Sequence, residues 1–462
     1  RATGRMYRRI RKTRRADALR PNQEADAAVL ASTATGSAMR IDDETLGLPL
    51  VSAAEGASAG TLLRARPCYQ CKQRYTQVDA FYHQLCPTCA ALNRARRDAR
   101  TDLRGRRALL TGGRAKIGMY IALRLLRDGA HTTITTRFPH DAVRRFTAVA
   151  DSAEWIDRLT VVGIDLRDPT QVTALADDVA AAGPLDVLIN NACQTVRRSP
   201  GAYAPLVQAE AAALPTGVPL PEVLTFDRVS GAHPAAIAGA LAKAPVAAHD
   251  GESGAQARAA HTAAAMTALA LKAGSASLHA HLAGTAVDAG GLLPDTASAN
   301  SWTQTLDEVD PLELLEVQLC NAVAPFLLIS RLRPALAAGA RRAGSGRAHV
   351  VNVSAMEGQF SRQYKGAGHP HTNMAKAALN MLTRTSADEM WETDRIQMNA
   401  VDTGWITDER PHTTKLRLAQ EGFHAPLDLV DGAARVYDPV VRGESGVDVV
   451  GCFLKDYAPA AW

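Results

Sequence analysis

A glycine-bearing turn between an apolar strand and an amphipathic helix constrains this chain more than any other feature. Ala108-Leu109-Leu110 reads as a short buried strand, Thr111-Gly112-Gly113-Arg114-Ala115-Lys116-Ile117-Gly118 follows it, and Ile117–Arg127 carries helical periodicity. The rhythm continues with strands at Thr132–Thr136, Leu159–Ile164 and Val187–Asn190 and a helix at Thr170–Ala181. Strands separated by helices pair in parallel, which predicts an α/β chain whose sheet is covered on both faces. Glycines after the first strand let the backbone approach a phosphate, which then rests on the helix N-terminus.

The alternation stops near residue 200, and a low-complexity segment at about 201–301 follows, more than a third of it alanine over 231–300. It resumes with a long amphipathic helix, Leu312–Ala337, then strand His349–Val353, helix Asn373–Met390, strand Gln397–Val401 and a terminal strand near Val449–Leu454. The segment therefore interrupts one α/β domain, 101–462, and enters at the carboxyl edge of the sheet, where it is expected to form a lid, a docking arm or an inert expansion.

Ahead of that domain, Cys68-Tyr69-Gln70-Cys71 and Cys86-Pro87-Thr88-Cys89 form two C-x2-C knuckles. Each can present two thiolates from one tight turn, and two knuckles make an S4 tetrahedron suited to Zn2+. Four cysteines leave no open coordination position, so the metal is expected to be structural, folding a module over 63–92 that is too small for its own core. His83, between the pairs, is expected at the surface rather than as a ligand. With seven cysteines in 462 residues the chain is no disulfide scaffold, which favours a reducing compartment.

Residues 1–62 lack periodicity and read as an extended basic tail, and Asn93–Arg107 as a basic linker. Residues 1–107 carry 21 Lys/Arg against 10 Asp/Glu, and the remainder 31 against 37. A basic front on a mildly acidic body suits either an anionic partner such as nucleic acid (RNA) or a membrane surface, or other subunits of an assembly, or a solvated tail. The nine Arg/Lys among residues 1–20 also fit an organellar targeting remnant, leaving the mitochondrial matrix and the cytoplasm both open. No apolar stretch reaches the roughly 18 residues needed to span a bilayer, so no membrane is expected.

These motifs together resemble the short-chain dehydrogenase/reductase family, a Rossmann-type doubly wound fold, over about 101–200 and 305–462. The family turn T-G-x-x-x-G-x-G is matched at Thr111, Gly112 and Gly118, with Lys116 in place of the middle glycine. The resemblance implies that Thr111, Gly112, Gly113, Arg114, Lys116, Ile117 and Gly118 cradle a nicotinamide dinucleotide. It also implies that Asp165-Leu166 meet the adenine, that Asn191-Ala192 line the site, and that Gly404 and Thr407 lie beside the nicotinamide. The second strand ends Thr135-Thr136-Arg137 without the acid that would select NAD. Arg137, with Arg114 or Lys116, can meet a 2′-phosphate, which points to NADP(H).

The family's catalytic Asn, Ser, Tyr and Lys are half present. Asn321 resembles the helix Asn and Lys376 the active-site Lys, which also bonds the nicotinamide ribose. Thr372 stands where the Tyr belongs, and Ala355 where the Ser belongs, with Ser354 one residue early. An aliphatic hydroxyl is a far weaker acid than a phenol near pKa 10, so Tyr364 or His371 is the candidate substitute. The sequence keeps cofactor binding better than catalysis. It reads either as an NADP(H)-dependent oxidoreductase of an unknown carbonyl or alcohol, homodimeric by family expectation, or as a retired enzyme serving as a structural subunit.

Overall fold

The computed structural model describes residues 2–37, 40, 56–198, 200–226, 230–236, 288, 291–293, 298–407, 409–411, 414–415, 417–418 and 421–462. Its centre is a parallel sheet built from β3 (Arg107–Leu110), β4 (His131–Thr136), β5 (Leu159–Gly163), β6 (Val187–Asn190), β8 (Ala348–Ser354), β9 (Ile396–Asp402) and β10 (Phe453–Lys455). Two edge strands, β7 (Glu222–Thr225) and β11 (Ala458–Ala460), complete it. The order is β11-β10-β9-β8-β6-β3-β4-β5-β7, with only β11 antiparallel to its neighbour. The chain leaves β3 toward β4 on one side and returns through β6 on the other, so the winding reverses beside the glycine turn. That is the switch point at which open α/β sheets bind ligands.

Helices cover both faces. On one lie α3 (Lys116–Arg127), α4 (Pro139–Thr147) and α10 (Leu429–Glu444), closing a core of Ile121, Leu125, Phe146, Trp155, Val436 and Val440. On the other lie α5 (Pro169–Ala181), α8 (Ala324–Arg342) and α9 (Pro370–Asp394), with Leu175, Leu328, Leu332, Leu336, Ala387 and Met390 at their contacts. Asp168 caps α5 by accepting from the Thr170 and Gln171 N–H groups, and the Asp428/Asp431 pair forms a capping box on α10.

The helix read as Leu312–Ala337 is α7 (Pro311–Gln318) running through a π turn at Leu319–Val323 into α8. The whole run Pro311–Arg342 is long and apolar enough to cross a membrane, contrary to the expectation, and half of its most apolar window is buried in the molecule. A core helix against a sheet needs the same apolar content as a span.

Several expectations for the flanks and the insertion do not hold. Over residues 2–31 the tail is not extended, because α1 (Ala2–Ala31) is a continuous helix, and residues 41–55 lie outside the described residues. Its alanine and arginine content supports helix without an apolar stripe to betray it. Val29 and Leu30 pack on the cysteine module, and Asp26 accepts from the Leu63 and Arg64 N–H groups. The module exceeds 63–92, spanning the hairpin β1 (Ser58–Pro67) and β2 (Arg74–Asp79) and helix α2 (Pro87–Arg97), which takes in a third of the supposed linker. Inside the insertion, α6 (Ala204–Ala211) precedes β7, which pairs with β5 and lengthens the sheet. Residues 237–287 of the expected lid or arm lie outside the described residues.

Candidate dinucleotide site

A cavity of about 970 Å³ opens along the carboxyl ends of the strands. Gly112, Arg114, Lys116, Ile117 and Gly118 line it after β3, Arg137 after β4, and Asp165 and Leu166 after β5. Asn191 and Ala192 follow β6, Gly404 and Thr407 follow β9, and Lys376 enters from α9. That volume is at the large end for a small-molecule site and suits an extended ligand.

The turn leaves no room for side chains where it bends. Gly112 has φ +71°, and a Cβ there would stand 2.9 Å from the Ala192 Cα. A Cβ on Gly118 would stand 2.0 Å from the Gly112 carbonyl oxygen. Thr111 and Gly113 do not line the cavity; they build it from behind. The Thr111 hydroxyl accepts from the Asn191 and Ala192 N–H groups at 3.0 Å, tying β3 to the end of β6. Gly113 fits against Ile134. Asn191 donates to the Thr111 and Gly112 carbonyls at 3.1 Å, and its own side-chain oxygen is buried without a partner. Lys116, in the family's glycine position, adopts φ +52°, and its ammonium lies 3.4 Å from Asp288.

The three cations around this end of the cavity are not equivalent. Asp141 holds the Arg114 guanidinium, and Lys116 faces Asp288. Arg137 lies over the Phe138 and Tyr203 rings at 5.7 and 5.2 Å, with no carboxylate ion pair among the described residues. Asp165 lines the cavity, yet its carboxylate is clamped by Arg167 at 2.5 Å and His233 at 3.3 Å, and these partners hold it well below the usual carboxylate range against its burial. It is therefore already satisfied before any adenine arrives.

The catalytic expectations divide sharply. Lys376 is buried at the cavity wall and donates to the Val353 carbonyl at 2.7 Å. Tyr364 lines the rim, 75% exposed. Asn321 does not line the cavity. It sits in the π turn and grips the Gln194 peptide from both sides, accepting from its N–H at 2.7 Å and donating to its carbonyl at 2.9 Å. Thr372 is buried with its hydroxyl toward the Thr195 carbonyl at 3.4 Å, and it also lies behind the wall. His371 is buried behind it too. Both ring nitrogens lack partners, Glu313 stands 3.9 Å away, and burial pushes the imidazole below its ordinary pKa, so it does not offer the neutral-pH acid expected of it. The Ser354 hydroxyl is committed to Asn380 at 2.5 Å.

The four cysteines lie together, with every sulfur within 4.8 Å of the others and the Cys71 and Cys86 sulfurs 3.7 Å apart. Metal–sulfur bonds of about 2.3 Å set tetrahedral S···S edges of about 3.8 Å, so the residues fit Zn2+. The Cys86 N–H points at the Cys68 sulfur at 3.3 Å. Burial, then the Cys86 and Cys71 neighbours, push the Cys89 thiol up. His83 is neither a ligand nor a surface residue. It is buried between Thr35 and Gln84, and burial, with Arg40 and Arg66, lowers its pKa to about 3.

Sequence reasoning missed Tyr69, Lys72, Tyr203 and Trp302, all of which line the cavity. Tyr69 and Lys72 belong to a metal knuckle, and nothing in that local pattern points toward a site some forty residues further along the chain.

A parallel sheet with this turn at its switch point defines a Rossmann-type dinucleotide fold. Residues 106–205 match the short chain dehydrogenase family. Over 391 residues it is 28% identical to an uncharacterized protein of Acanthamoeba polyphaga mimivirus, covering 81% of this chain and 71% of that one. A 91-residue stretch is 40% identical to a probable oxidoreductase of Streptomyces antibioticus, covering 20% of this chain and 30% of that one. The chain thus spans about a third of the curated oxidoreductases it matches. Among solved structures, NADPH-bound carbonyl reductase from chicken fatty liver superposes with TM-score 0.43 and 18% identity, over 80% of this chain and 98% of that one.

Proposed function

We propose that this chain is an NADP(H)-binding oxidoreductase of the short-chain family, acting on a carbonyl or alcohol through a proton donor other than the usual tyrosine. The observation that carries the reading is the convergence of the glycine turn, Arg137 and Lys376 on one cavity. When bound, the dinucleotide would supply or accept the hydride. Gly112 and Gly118 would let its pyrophosphate approach the start of α3, Arg137 would meet the 2′-phosphate, and Lys376 would hold the ribose beside the reacting carbon. Thr372 lies behind the wall, and the Ser354 hydroxyl, though on the cavity wall, is committed to Asn380, so proton transfer would fall to Tyr364 at the rim or to water. Such help is typically worth about 10² to 10⁴ in rate, and slow turnover is expected.

The burial of Thr372 equally favours a second reading, in which the chain binds the dinucleotide and has lost turnover, serving as a structural subunit. Zn2+ at Cys68, Cys71, Cys86 and Cys89 would be structural in either case. Contact with RNA or other subunits through residues 1–107 belongs with the second reading, and a homodimer, a family expectation, with the first. The test is titration with NADPH and NADH alongside turnover on a panel of aldehydes and ketones. NADPH binding with slow reduction supports the first reading, and binding with no reduction the second. No binding overturns both.

A further inference from the structure

The cysteine module does not hang from the domain as a separate bead. Its buried residues Cys68, Tyr82, Leu85 and Cys89 share one apolar cluster with Ile406, Leu427 and Leu429, and Ile117 and Tyr120 of α3 pack against the same cluster. The module therefore touches both edges of the dinucleotide cavity, the start of the phosphate-binding helix and the turn after β9. The first knuckle reaches further. Tyr69 lines the cavity, and its hydroxyl accepts from the Trp405 N–H at 2.9 Å. Gln70 is tied through Asn93 (2.8 Å) to Arg435 (2.8 Å), whose guanidinium lies against Gly404.

From this arrangement we propose that metal at the four cysteines and dinucleotide in the cavity are energetically coupled. Tyr69 is the positioning residue that transmits the coupling to the turn at Gly404–Thr407. This rests on the dinucleotide reading above and goes beyond it. The geometry supplies the reason. The backbone of Tyr69 lies inside the Cys68–Cys71 loop, so a metal that closes that loop also fixes where the phenol stands. Without metal the two knuckles lose their common anchor, the Trp405 N–H loses a fixed acceptor, and the turn after β9 gains conformations that the ligand must then suppress. Ligand binding and metal binding each reduce the same freedom, so each favours the other by the same factor.

The experiment uses the full chain loaded with zinc. NADPH is titrated by fluorescence before and after the metal is stripped by chelation, which the exposed Cys71 permits. Zinc affinity is then measured against a chromophoric chelator with and without saturating NADPH. Couplings of this kind run from about 5- to 150-fold. The NADPH dissociation constant is expected to rise at least fivefold on metal loss, and zinc affinity to rise by the same factor when NADPH is present. Equal NADPH affinity with and without metal overturns the coupling while leaving the dinucleotide reading intact. A zinc-loaded chain that binds no NADPH brings down that reading and the coupling with it, and a chain that takes up no zinc overturns the coupling outright. Should stripping unfold the protein, Tyr69→Phe decides. It keeps all four cysteines but removes the acceptor, so zinc uptake should persist while its affinity ceases to respond to NADPH. An undiminished response would refute the role given to Tyr69.

Discussion

In the proposed reading Arg137 bears the weight of cofactor choice, because Asp141 and Asp288 already occupy the charges of Arg114 and Lys116. A charge-assisted hydrogen bond to a phosphate is worth about 1.5–3 kcal/mol. Arg137→Ala should therefore weaken NADPH binding by about ten- to a hundredfold and leave NADH binding unchanged. Equal losses for the two cofactors in parallel titrations would place the 2′-phosphate elsewhere. Gly118 is the complementary case. A methyl group 2.0 Å from the Gly112 carbonyl must displace the turn itself, so Gly118→Ala should abolish dinucleotide binding. It should also lower the melting temperature by the equivalent of about 1–3 kcal/mol. His83 makes a different prediction. Its folded pKa of about 3 lies below the ordinary value of 6.5. Its contribution is thus fully present above about pH 6.5 and is lost as pH falls toward 3. The loss amounts to about 1.4 kcal/mol per pH unit, or about 2 kcal/mol by pH 5. Urea unfolding at pH 7.5 and pH 5 should show that difference in the wild type, and a flatter dependence in His83→Gln.

At the scale of elements, the strands β3, β4, β5, β6, β8 and β9 and the helices α3, α5, α8 and α9 could be read directly, because each carries its apolar residues at a clean period. The misses share a physical cause: their stability comes from partners remote in sequence. Helix α10 contains Gly432 and Pro439, and its fully buried polar face, Asp431, Arg435 and Asp438, disguises a core helix as a loop. Strand β7 has a mostly exposed pattern and exists because β5 offers a free edge. The π turn is invisible in sequence, yet it aims Asn321 at the Gln194 peptide rather than into the cavity. Of the site, the turn and Arg137 were legible as local motifs. The sealing of Asp165 by Arg167 and His233 was not, since His233 comes from the insertion. Helix α2 offers a test at this scale. Arg97 pairs with Asp428 at 2.5 Å and Asp431 at 3.1 Å, while burial and the neighbouring Asp428 push the Asp431 carboxyl up. Removing one partner from a buried ion pair costs about 3–5 kcal/mol. Arg97→Ala should lose that much in urea unfolding, and a loss below 1 kcal/mol would show the cluster to be screened.

For the whole molecule, the charge asymmetry between front and body takes on a meaning that composition alone did not give. The arginines of α2 and the segment after it find their anions inside the chain. Arg96 pairs with Asp438 at 2.9 Å, Arg97 with the α10 cap, Arg100 with Asp128, and Arg106 with Asp186 and Glu444 at 3.1 Å. For these residues the acidic partner suggested by a basic front is the acidic body itself. Apolar burial at Leu427 and Leu429 and these ion pairs then fasten the module to α10 together. Two fastenings of different physics respond to different agents, since salt screens the pairs whose arginine is partly exposed, those of Arg96 and Arg100, and leaves apolar contact intact or stronger. If both join the module to the domain, zinc release and the loss of tryptophan fluorescence should follow one coincident thermal transition at low salt. In about 1 M NaCl the zinc-release midpoint should move below the fluorescence midpoint, because the screened module opens first. Two separate transitions already at low salt would instead mean that the module folds independently and that the α10 contacts add little to its stability.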